Sequence, residues 1–204
     1  MIQLVVDSTA AVPKDFLEQH DNVHVIPLFI SVKGEYVPEN EATIEQVIEY
    51  SESTKKAVPT SQPSTGDFLK LFESLPKEDP VIVICITSGV SGTYNGAVLA
   101  ARQSGRKQIA VINSRTTAVG MMEVLEDGLD MIEKGLSFEE ISKGLQESAS
   151  LMRTTFTVPT LDYLRRGGRV GKAAGLIGSI LKIKPVIFLN DNNEVDAVSY
   201  THLR

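Results

Sequence analysis

The sequence VIVICITSGVSGTYNG, residues 81–96, decides the fold. It opens with six apolar residues, mostly β-branched, which predict a strand buried on both faces within a parallel sheet. Residues 87–93 then carry four hydroxyl side chains and two glycines, and we expect a helix over residues 94–103. Ligands of such sheets bind at the carboxyl ends of strands, where loop amides and helix N-termini favour negative charge. The stretch therefore predicts an anion-binding site.

The same strand, hydroxyl loop and helix pattern recurs along the chain. Residues 2–6 are an apolar run followed by hydroxyls at positions 8 and 9, and residues 108–113 are followed by hydroxyls within 114–117. The segment AVPTSQPSTG, residues 57–66, adds a fourth hydroxyl-rich stretch, and its two prolines predict irregular structure. For any one of these hydroxyls taken alone, a cap or a turn is the better explanation. Four such segments together favour a shared site in which hydroxyls and amides hold an anion.

The remaining patterns predict an α/β protein of two parts. Residues 23–32 form a β-rich run, and apolar residues at helical spacing predict amphipathic helices after Thr43, over 119–133 and after Ser137. The composition changes near Arg153, and DNNE at 191–194 predicts a hairpin turn. We predict an N-terminal domain, residues 1–153, with a parallel sheet and helices on both faces, and an incomplete α/β C-terminal domain, residues 154–204.

Composition and charge exclude several classes of function. The chain has 204 residues and a formal net charge of -6, which argues against a nucleic-acid surface or a DNA-associated regulatory role. Its single cysteine, Cys85, lies in the apolar run and is expected to be a buried, reduced side chain. No stretch approaches the roughly twenty apolar residues of a membrane span, and the N-terminus does not resemble a signal peptide. We therefore predict a cytoplasmic protein without an integral membrane segment.

Several catalytic motifs are nearly matched. Residues 89–93, GVSGT, resemble a nucleophile elbow around Ser91, but Thr93 stands where that motif requires glycine. Histidines occur at positions 20, 24 and 202, and no spacing pairs one with Ser91 as a base. Gly171-Lys172 resembles the end of a P-loop whose other positions do not match. No cofactor is predicted, and a serine-dependent acyl hydrolase or transferase using Ser91 remains the alternative function.

Two further features each have two interpretations. Three arginines lie beside paired glycines in LRRGGR, residues 164–169, and they are either a clamp for an acidic head group or the cationic end of a helix. Residues 171–181 are apolar and rich in glycine and alanine. Small side chains there would let a long, thin apolar ligand run against the backbone, or would allow close helix packing.

Five motifs, taken together, resemble the DegV family of bacterial fatty-acid-binding proteins. They are VVDSTA, PTSQPS, ITSGVSGTYNGA, INSRTTAVG and LDYLRRGGRVGKAAGLIGSILKIKPV, in the family's order and over nearly the whole chain. The resemblance implies two α/β domains that bury a long-chain fatty acid between them. It also implies a non-catalytic, lipid-presenting role, in which an ATP-dependent fatty acid kinase subunit phosphorylates the bound lipid for phospholipid synthesis.

The resemblance also implies which residues bind the ligand. The carboxylate would be held by residues of PTSQPS and TSGVSGT, namely Thr60, Ser61, Ser88, Ser91, Gly92 and Thr93. Arg169 of the GGR motif would lie near the head group or on the surface facing the kinase. Family members continue past residue 204, and SYTHLR at 199–204 does not match the expected basic segment. We therefore expect a C-terminally truncated chain whose lipid tunnel lacks part of its wall.

Overall fold

The computed structural model describes residues 1–32, 34–176 and 183–202. The strands in these ranges are β1 (Gln3–Asp7), β2 (Val23–Ile26), β3 (Phe29–Val32), β4 (Glu35–Pro38), β5 (Thr60–Ser61), β6 (Val81–Cys85), β7 (Ile109–Asn113), β8 (Thr155–Thr157), β9 (Ile183–Leu189) and β10 (Val195–His202). The helices are α1 (Lys14–Gln19), α2 (Ile44–Thr54), α3 (Thr65–Ser74), α4 (Thr93–Gln103), α5 (Val119–Glu133), α6 (Phe138–Leu151) and α7 (Asp162–Arg166). Short 3₁₀ segments occur at Ser8–Ala10, Glu39–Glu41 and Gly171–Leu176.

Four parallel strands form the central sheet, in the order β2-β1-β6-β7. Every residue of β6 is buried, because the strand lies between β1 and β7 and has a helical layer on each face. A strand in that position has no side chain directed to water, so it needs no polar positions. This accounts for the uninterrupted apolar run at residues 81–86, and the predicted parallel strand is confirmed.

Helices cover both faces of this sheet. Ile82 and Ile84 of β6 pack in one cluster with α5 and α6, while the alternate side chains of the strand pack in a second cluster with α3 and α4. The alternate row consists of Val81, Val83 and Cys85. Each large apolar side chain that is fully buried contributes roughly 1.5–3 kcal/mol. The predicted α/β class, with a parallel sheet between helical layers, is confirmed.

Three of the helices begin with a capping box. The side chains of Thr43, Ser64 and Ser137 accept the backbone N–H of the third helical residue, whose own side chain accepts the backbone N–H of the cap. Each such cap satisfies two N–H groups that an uncapped helix leaves without a partner. The predicted caps at Thr43 and Ser137 are confirmed.

The predicted β-rich run of residues 23–32 is divided into two strands, β2 and β3. β2 joins the parallel sheet, whereas β3 pairs antiparallel with β4 and β5 in a separate three-stranded sheet. Pro27 separates them and has no N–H to donate to a ladder, so the chain changes direction there. Residues 60–61, expected to be irregular, form β5 on the other side of β3 from β4.

A third sheet, in the order β10-β9-β8, is antiparallel. The predicted hairpin turn at 191–194 is confirmed, because β9 and β10 pair on either side of it. The side chain of Asn190 closes the turn by accepting the backbone N–H groups of Asn192 and Glu194. Of the small-residue segment at 171–181, residues 177–181 lie outside the described residues. The boundary near Arg153 remains a prediction.

No helix among the described residues is long and apolar enough to cross a membrane.

Candidate functional site

Three of the hydroxyl loops lie side by side at the carboxyl edge of the central sheet. They follow β1, β6 and β7, which are adjacent parallel strands and therefore end on the same side. Backbone bonds join the loops directly: Thr87 N–H donates to Thr116 O at 3.0 Å, and Ala118 N–H donates to Thr9 O at 3.1 Å. The repeated pattern in the sequence is thus one continuous surface in the fold.

Asp7 fixes the base of this surface. Its carboxyl is completely buried and accepts the N–H of Ile86 at 2.6 Å, together with the N–H and hydroxyl of Thr9 at 3.1 and 2.5 Å. Burial raises the pKa of Asp7, and the three hydrogen bonds oppose that rise. The side chain links the ends of β1 and β6, so it holds the start of the 87–93 loop in place.

Three hydroxyls of the 87–93 loop are already paired within the protein. Ser88 Oγ accepts from Asn113 Nδ2 at 2.8 Å, and the Ser88 N–H donates to Asn113 Oδ1 at 3.2 Å. Ser91 Oγ and Thr93 Oγ1 lie 2.8 Å apart and share one hydrogen bond. Thr93 is fully buried, whereas Ser91 is half-buried. One proton of the Ser91 and Thr93 pair is therefore free for a further acceptor.

Helix α4 begins at Thr93, with Gly92 as its N-cap residue. Gly92 offers no side chain to cap the helix, and the N–H of Thr93 donates to Ser91 Oγ at 3.3 Å. The N–H groups of a first helical turn have no partner within the helix and carry a partial positive charge. Ser91 and Thr93 therefore lie where the backbone itself favours an anion.

The PTSQPS segment reaches this loop through Gln62. A Cβ atom added to Gly92 would overlap the Gln62 carboxamide, and one added to Gly96 would lie 3.4 Å from Gln62 Nε2. Thr60 and Ser61 precede Gln62 on β5 and are exposed. The hydrogen bonds of the described residues do not join Thr60 or Ser61 to the 87–93 loop. Sequence reasoning missed Gln62, although it lies within the predicted 57–66 segment.

Arg169 lies beside the same loop. Its Nε donates to Val90 O at 3.2 Å and its Nη1 donates to Gly167 O at 2.6 Å, and the side chain is exposed. A guanidinium has five N–H groups, so donors remain for another acceptor. The structure thus brings Arg169 next to Ser88, Ser91, Gly92 and Thr93, which sequence spacing alone does not establish.

The turn of the β9 and β10 hairpin packs on these loops as well. Arg115 donates from Nε to Asn193 Oδ1 at 3.2 Å and from Nη2 to Asp191 O at 2.8 Å. Gly89 lies so close to Asn193 that an added Cβ would overlap the carbonyl oxygen of Asn193. Arg115 was missed in the sequence because its partners are 76 and 78 residues away.

A family model described as "Uncharacterised protein, DegV family" matches residues 1–200. The chain belongs to the DegV family. The DegV domain-containing protein of Staphylococcus aureus strain COL is 36% identical over 190 residues, which cover 92% of this chain and 67% of that protein. Protein DegV of Bacillus subtilis strain 168 is 34% identical over 193 residues, covering 93% of this chain and 68% of that one.

Solved structures of DegV proteins share the fold. A DegV family protein from Thermus thermophilus, described with its fatty acid binding, superposes with a TM-score of 0.89 at 28% identity, covering 98% of this chain and 71% of that one. A stearic acid-binding protein from Eubacterium ventriosum gives 0.85 at 32% identity, covering 100% and 72%. DegV of Bacillus subtilis, described as a fatty acid binding protein, gives 0.82 at 34% identity, covering 100% and 72%.

The surroundings of Ser91 in this DegV-family chain do not favour the alternative acyl hydrolase. A nucleophilic serine needs a base within hydrogen-bond reach, and the partner of Ser91 is the hydroxyl of Thr93. His20 bonds to Phe16 O and stacks on the Phe16 ring, and His24 bonds to Gln3 at 2.7 Å. Both of these imidazoles are thus engaged away from the 87–93 loop.

Among the described side chains no group of metal-ligating residues occurs.

Proposed function

We propose that this DegV-family chain binds a long-chain fatty acid at the carboxyl edge of its central sheet. The observation that carries the proposal is the convergence of Ser91, Thr93, Gln62 and Arg169 at the start of α4. The family membership supports it, because related structures are described as fatty-acid-binding proteins. Residues 1–153 and 154–204 are the two proposed lobes, and the acyl tail lies between them.

In this proposal Thr60, Ser61, Ser88, Ser91, Gly92 and Thr93 surround the carboxylate. Thr93, the buried member of the pair, donates its hydroxyl proton to Ser91 Oγ, and Ser91 then donates its own proton to the carboxylate. Hydrogen bonds to a charged acceptor are shorter and stronger than those between neutral groups, so hydroxyls and amides suffice to orient the head group. Arg169 adds a positive charge at the exposed side of the loop.

The acyl tail supplies most of the affinity. Burial of a methylene group contributes about 0.8 kcal/mol, so a long chain outweighs the few hydrogen bonds to the head group. The hydroxyls accordingly determine where the carboxylate lies, and the apolar surface determines how tightly the lipid is held. This division predicts that loss of the hydroxyls weakens binding without abolishing it.

The exposed position of the site supports presentation of the lipid to a second protein. In the proposed reaction, a carboxylate oxygen attacks the γ-phosphorus of ATP held by a kinase subunit, a new P–O bond forms, and ADP leaves. The chain itself has no complete nucleotide-binding motif, since Ala173 follows Gly171-Lys172 where a P-loop requires serine or threonine. The ATP site therefore belongs to the partner in this scheme.

Native mass spectrometry of the protein purified from a bacterial host tests the proposal. We expect a mass increase equal to one fatty acid, and uptake of palmitate or oleate by delipidated protein. A protein that carries no acyl chain and takes up neither lipid contradicts the proposed function. A fluorophosphonate probe is applied in parallel, and labelling of Ser91 would instead support the acyl hydrolase.

A further inference from the structure

One hydroxyl at the site has no partner. Among the described residues, two buried side-chain oxygens lack a hydrogen bond, Thr87 Oγ1 and Ser142 Oγ. Thr87 is completely buried and is the first residue of the 87–93 loop. A buried hydroxyl without a partner destabilises a protein, because it has lost its bonds to water. Its presence at the candidate site, in the loop that supplies the other hydroxyls, therefore needs an explanation.

The direction of Thr87 follows from strand alternation. Ile82, Ile84 and Ile86 pack in the cluster formed with α5 and α6. The opposite row, Val81, Val83 and Cys85, packs in the cluster formed with α3 and α4. Thr87 continues this second row, and its N–H still pairs with the neighbouring chain segment at Thr116 O. Continued beyond the end of β6 at Cys85, the same alternation directs its side chain toward the layer that contains α4.

Three backbone N–H groups of the loop above Thr87 make long hydrogen bonds. The N–H groups of Val90 and Ser91 donate to Thr87 O at 3.3 and 3.4 Å, and the N–H of Thr93 donates to Ser91 Oγ at 3.3 Å. Protein N–H···O bonds are most often about 2.9–3.0 Å long. The base of the loop is much firmer, since the Ile86 N–H donates to Asp7 at 2.6 Å. Breaking these three bonds would let residues 90–93 shift without moving the strand or the Ser88 contact with Asn113.

We propose that Thr87 is a further ligand-binding residue, whose hydroxyl donates to the carboxylate when the 87–93 loop adjusts around the head group. The inference rests on the proposed function and adds a donor from the inner side of the loop. It explains why a hydroxyl is kept in a buried position next to Cys85, in a row that is otherwise apolar. It also assigns the long bonds of the loop a role in ligand binding.

Thr87→Val tests the inference, because valine has nearly the same shape and lacks the hydroxyl. We expect its affinity for palmitate to fall roughly tenfold, the effect of losing a hydrogen bond to a charged group. Affinity for hexadecanol, which has the same tail but no carboxylate, should change less than about twofold. The melting temperature of the ligand-free variant should stay level or rise, since an unpartnered hydroxyl is removed. Thr87→Ser restores a hydroxyl and should regain most of the palmitate affinity.

Ser142→Ala is the matched control, since it removes the other unpartnered hydroxyl, on α6. It should change the melting temperature in the same direction and leave palmitate affinity unchanged. If Thr87→Val folds poorly, Thr87→Ala compared with Thr87→Ser gives the same test. Equal palmitate binding by wild type and Thr87→Val, or an equal loss for palmitate and hexadecanol, overturns the role of Thr87 alone. Wild-type protein that binds neither lipid overturns the proposed function and this inference together.

Discussion

The two ends of the central sheet use polar groups in opposite ways. At the amino end, the Arg106 guanidinium donates to the carbonyl oxygens of Phe72, Leu75, Pro76 and Asp79, at 2.6 to 3.0 Å. The Asp79 carboxylate accepts from the chain's amino terminus at 2.8 Å and from Gln3 at 2.7 Å. At the carboxyl end, the groups are mostly neutral, and Thr87 and one proton of the Ser91 and Thr93 pair are uncommitted.

The two ends therefore differ in whether their polar groups are available for a ligand. The amino end borders a cavity of about 540 Å³ and carries a full positive charge, yet the donors of Arg106 are directed at main-chain oxygens. Those bonds satisfy main-chain oxygens at the end of α3 and in the segment that leads into β6. The carboxyl end also carries guanidinium groups, those of Arg115 and Arg169, but the Thr87 hydroxyl and one proton of the Ser91 and Thr93 pair have no partner among the described residues. We therefore expect substitutions at the two ends to separate stability from binding.

The largest expected effect is at the amino end. Arg106→Ala leaves the carbonyl oxygens of Phe72 and Leu75 without their donor, and we expect a loss of about 2–4 kcal/mol in the free energy of unfolding. Urea denaturation measures it, and palmitate affinity of the folded protein should be unchanged. The exposed Arg102→Ala on α4 is the control, with a change below about 0.5 kcal/mol. If Arg106→Ala lost palmitate binding but kept its stability, the amino end would be the binding end of the sheet.

The next effect is at the contact between the hairpin and the 87–93 loop. In Gly89→Ala the new methyl group overlaps the Asn193 carbonyl, which forces the hairpin turn away from the loop. We expect a loss of about 1–3 kcal/mol in stability, measured by urea denaturation, together with weaker palmitate binding. Gly66→Ala is the control, because Gly66 lies within helix α3 and its new methyl group would make only an ordinary van der Waals contact, 3.6 Å from Ser64 Oγ. It should stabilise the protein by up to about 1 kcal/mol.

At the hydroxyls we expect a loss of palmitate affinity with almost no change in stability. Ser91→Ala combined with Thr60→Ala should lower palmitate affinity by roughly tenfold or more, because hydrogen bonds to the carboxylate are lost. Isothermal titration calorimetry measures the affinity. Thermal unfolding should be nearly unchanged, since Thr60 is exposed and Ser91 half-buried. Ser74→Ala with Ser150→Ala, which removes two helix-end hydroxyls bonded to Leu71 O and Glu147 O, is the control. Unchanged affinity in the Ser91 and Thr60 variant would move the carboxylate elsewhere.

The smallest expected effect is a pH dependence of opposite sign at the two ends. Burial raises the pKa of Asp7 above its ordinary value of 3.8, so its contribution to stability is full below 3.8 and is lost as the pH rises through the folded pKa. Hydrogen bonds from the amino terminus and Gln3 lower the pKa of Asp79 below 3.8. Its contribution is present above 3.8 and is lost as the pH falls through the folded pKa.

Urea denaturation of wild type, Asp7→Asn and Asp79→Asn over a range of pH measures these contributions. The stability of wild type relative to Asp7→Asn should fall as the pH rises. The stability of wild type relative to Asp79→Asn should fall as the pH is lowered below 3.8. Curves that are parallel for all three proteins would contradict both assignments.

Periodic apolar patterns allowed most of the fold to be predicted. The β6 strand, the α5 and α6 helices and the hairpin at 191–194 follow from local spacing, caps and turn residues. The run at 23–32 was predicted to be β-rich, but its pattern did not show that it divides at Pro27 between two sheets. Residues 60–61 were predicted as irregular because two prolines flank them, although the positions between those prolines still pair with β3.

The site was less predictable than the fold. Motif resemblance predicted a binding role for Ser88, Ser91, Gly92 and Thr93, which remains a prediction. Strand order in the fold brings their loop beside Thr116, and the loop that carries Thr116 adjoins Thr9. Gln62 and Arg115 were missed, because each acts through a contact with a residue distant in the chain. A single sequence carries no signal for such contacts.

By itself, the sequence 81–96 determined a buried strand, a hydroxyl loop and a helix, since each depends on residues close together in the chain. The tertiary structure alone decided which hydroxyls are already used. Ser88 is paired with Asn113, Ser91 with Thr93, and Thr87 with no described side chain. Whether a donor is free depends on its neighbours across the sheet, and those neighbours are set by the order of the strands rather than by the local sequence.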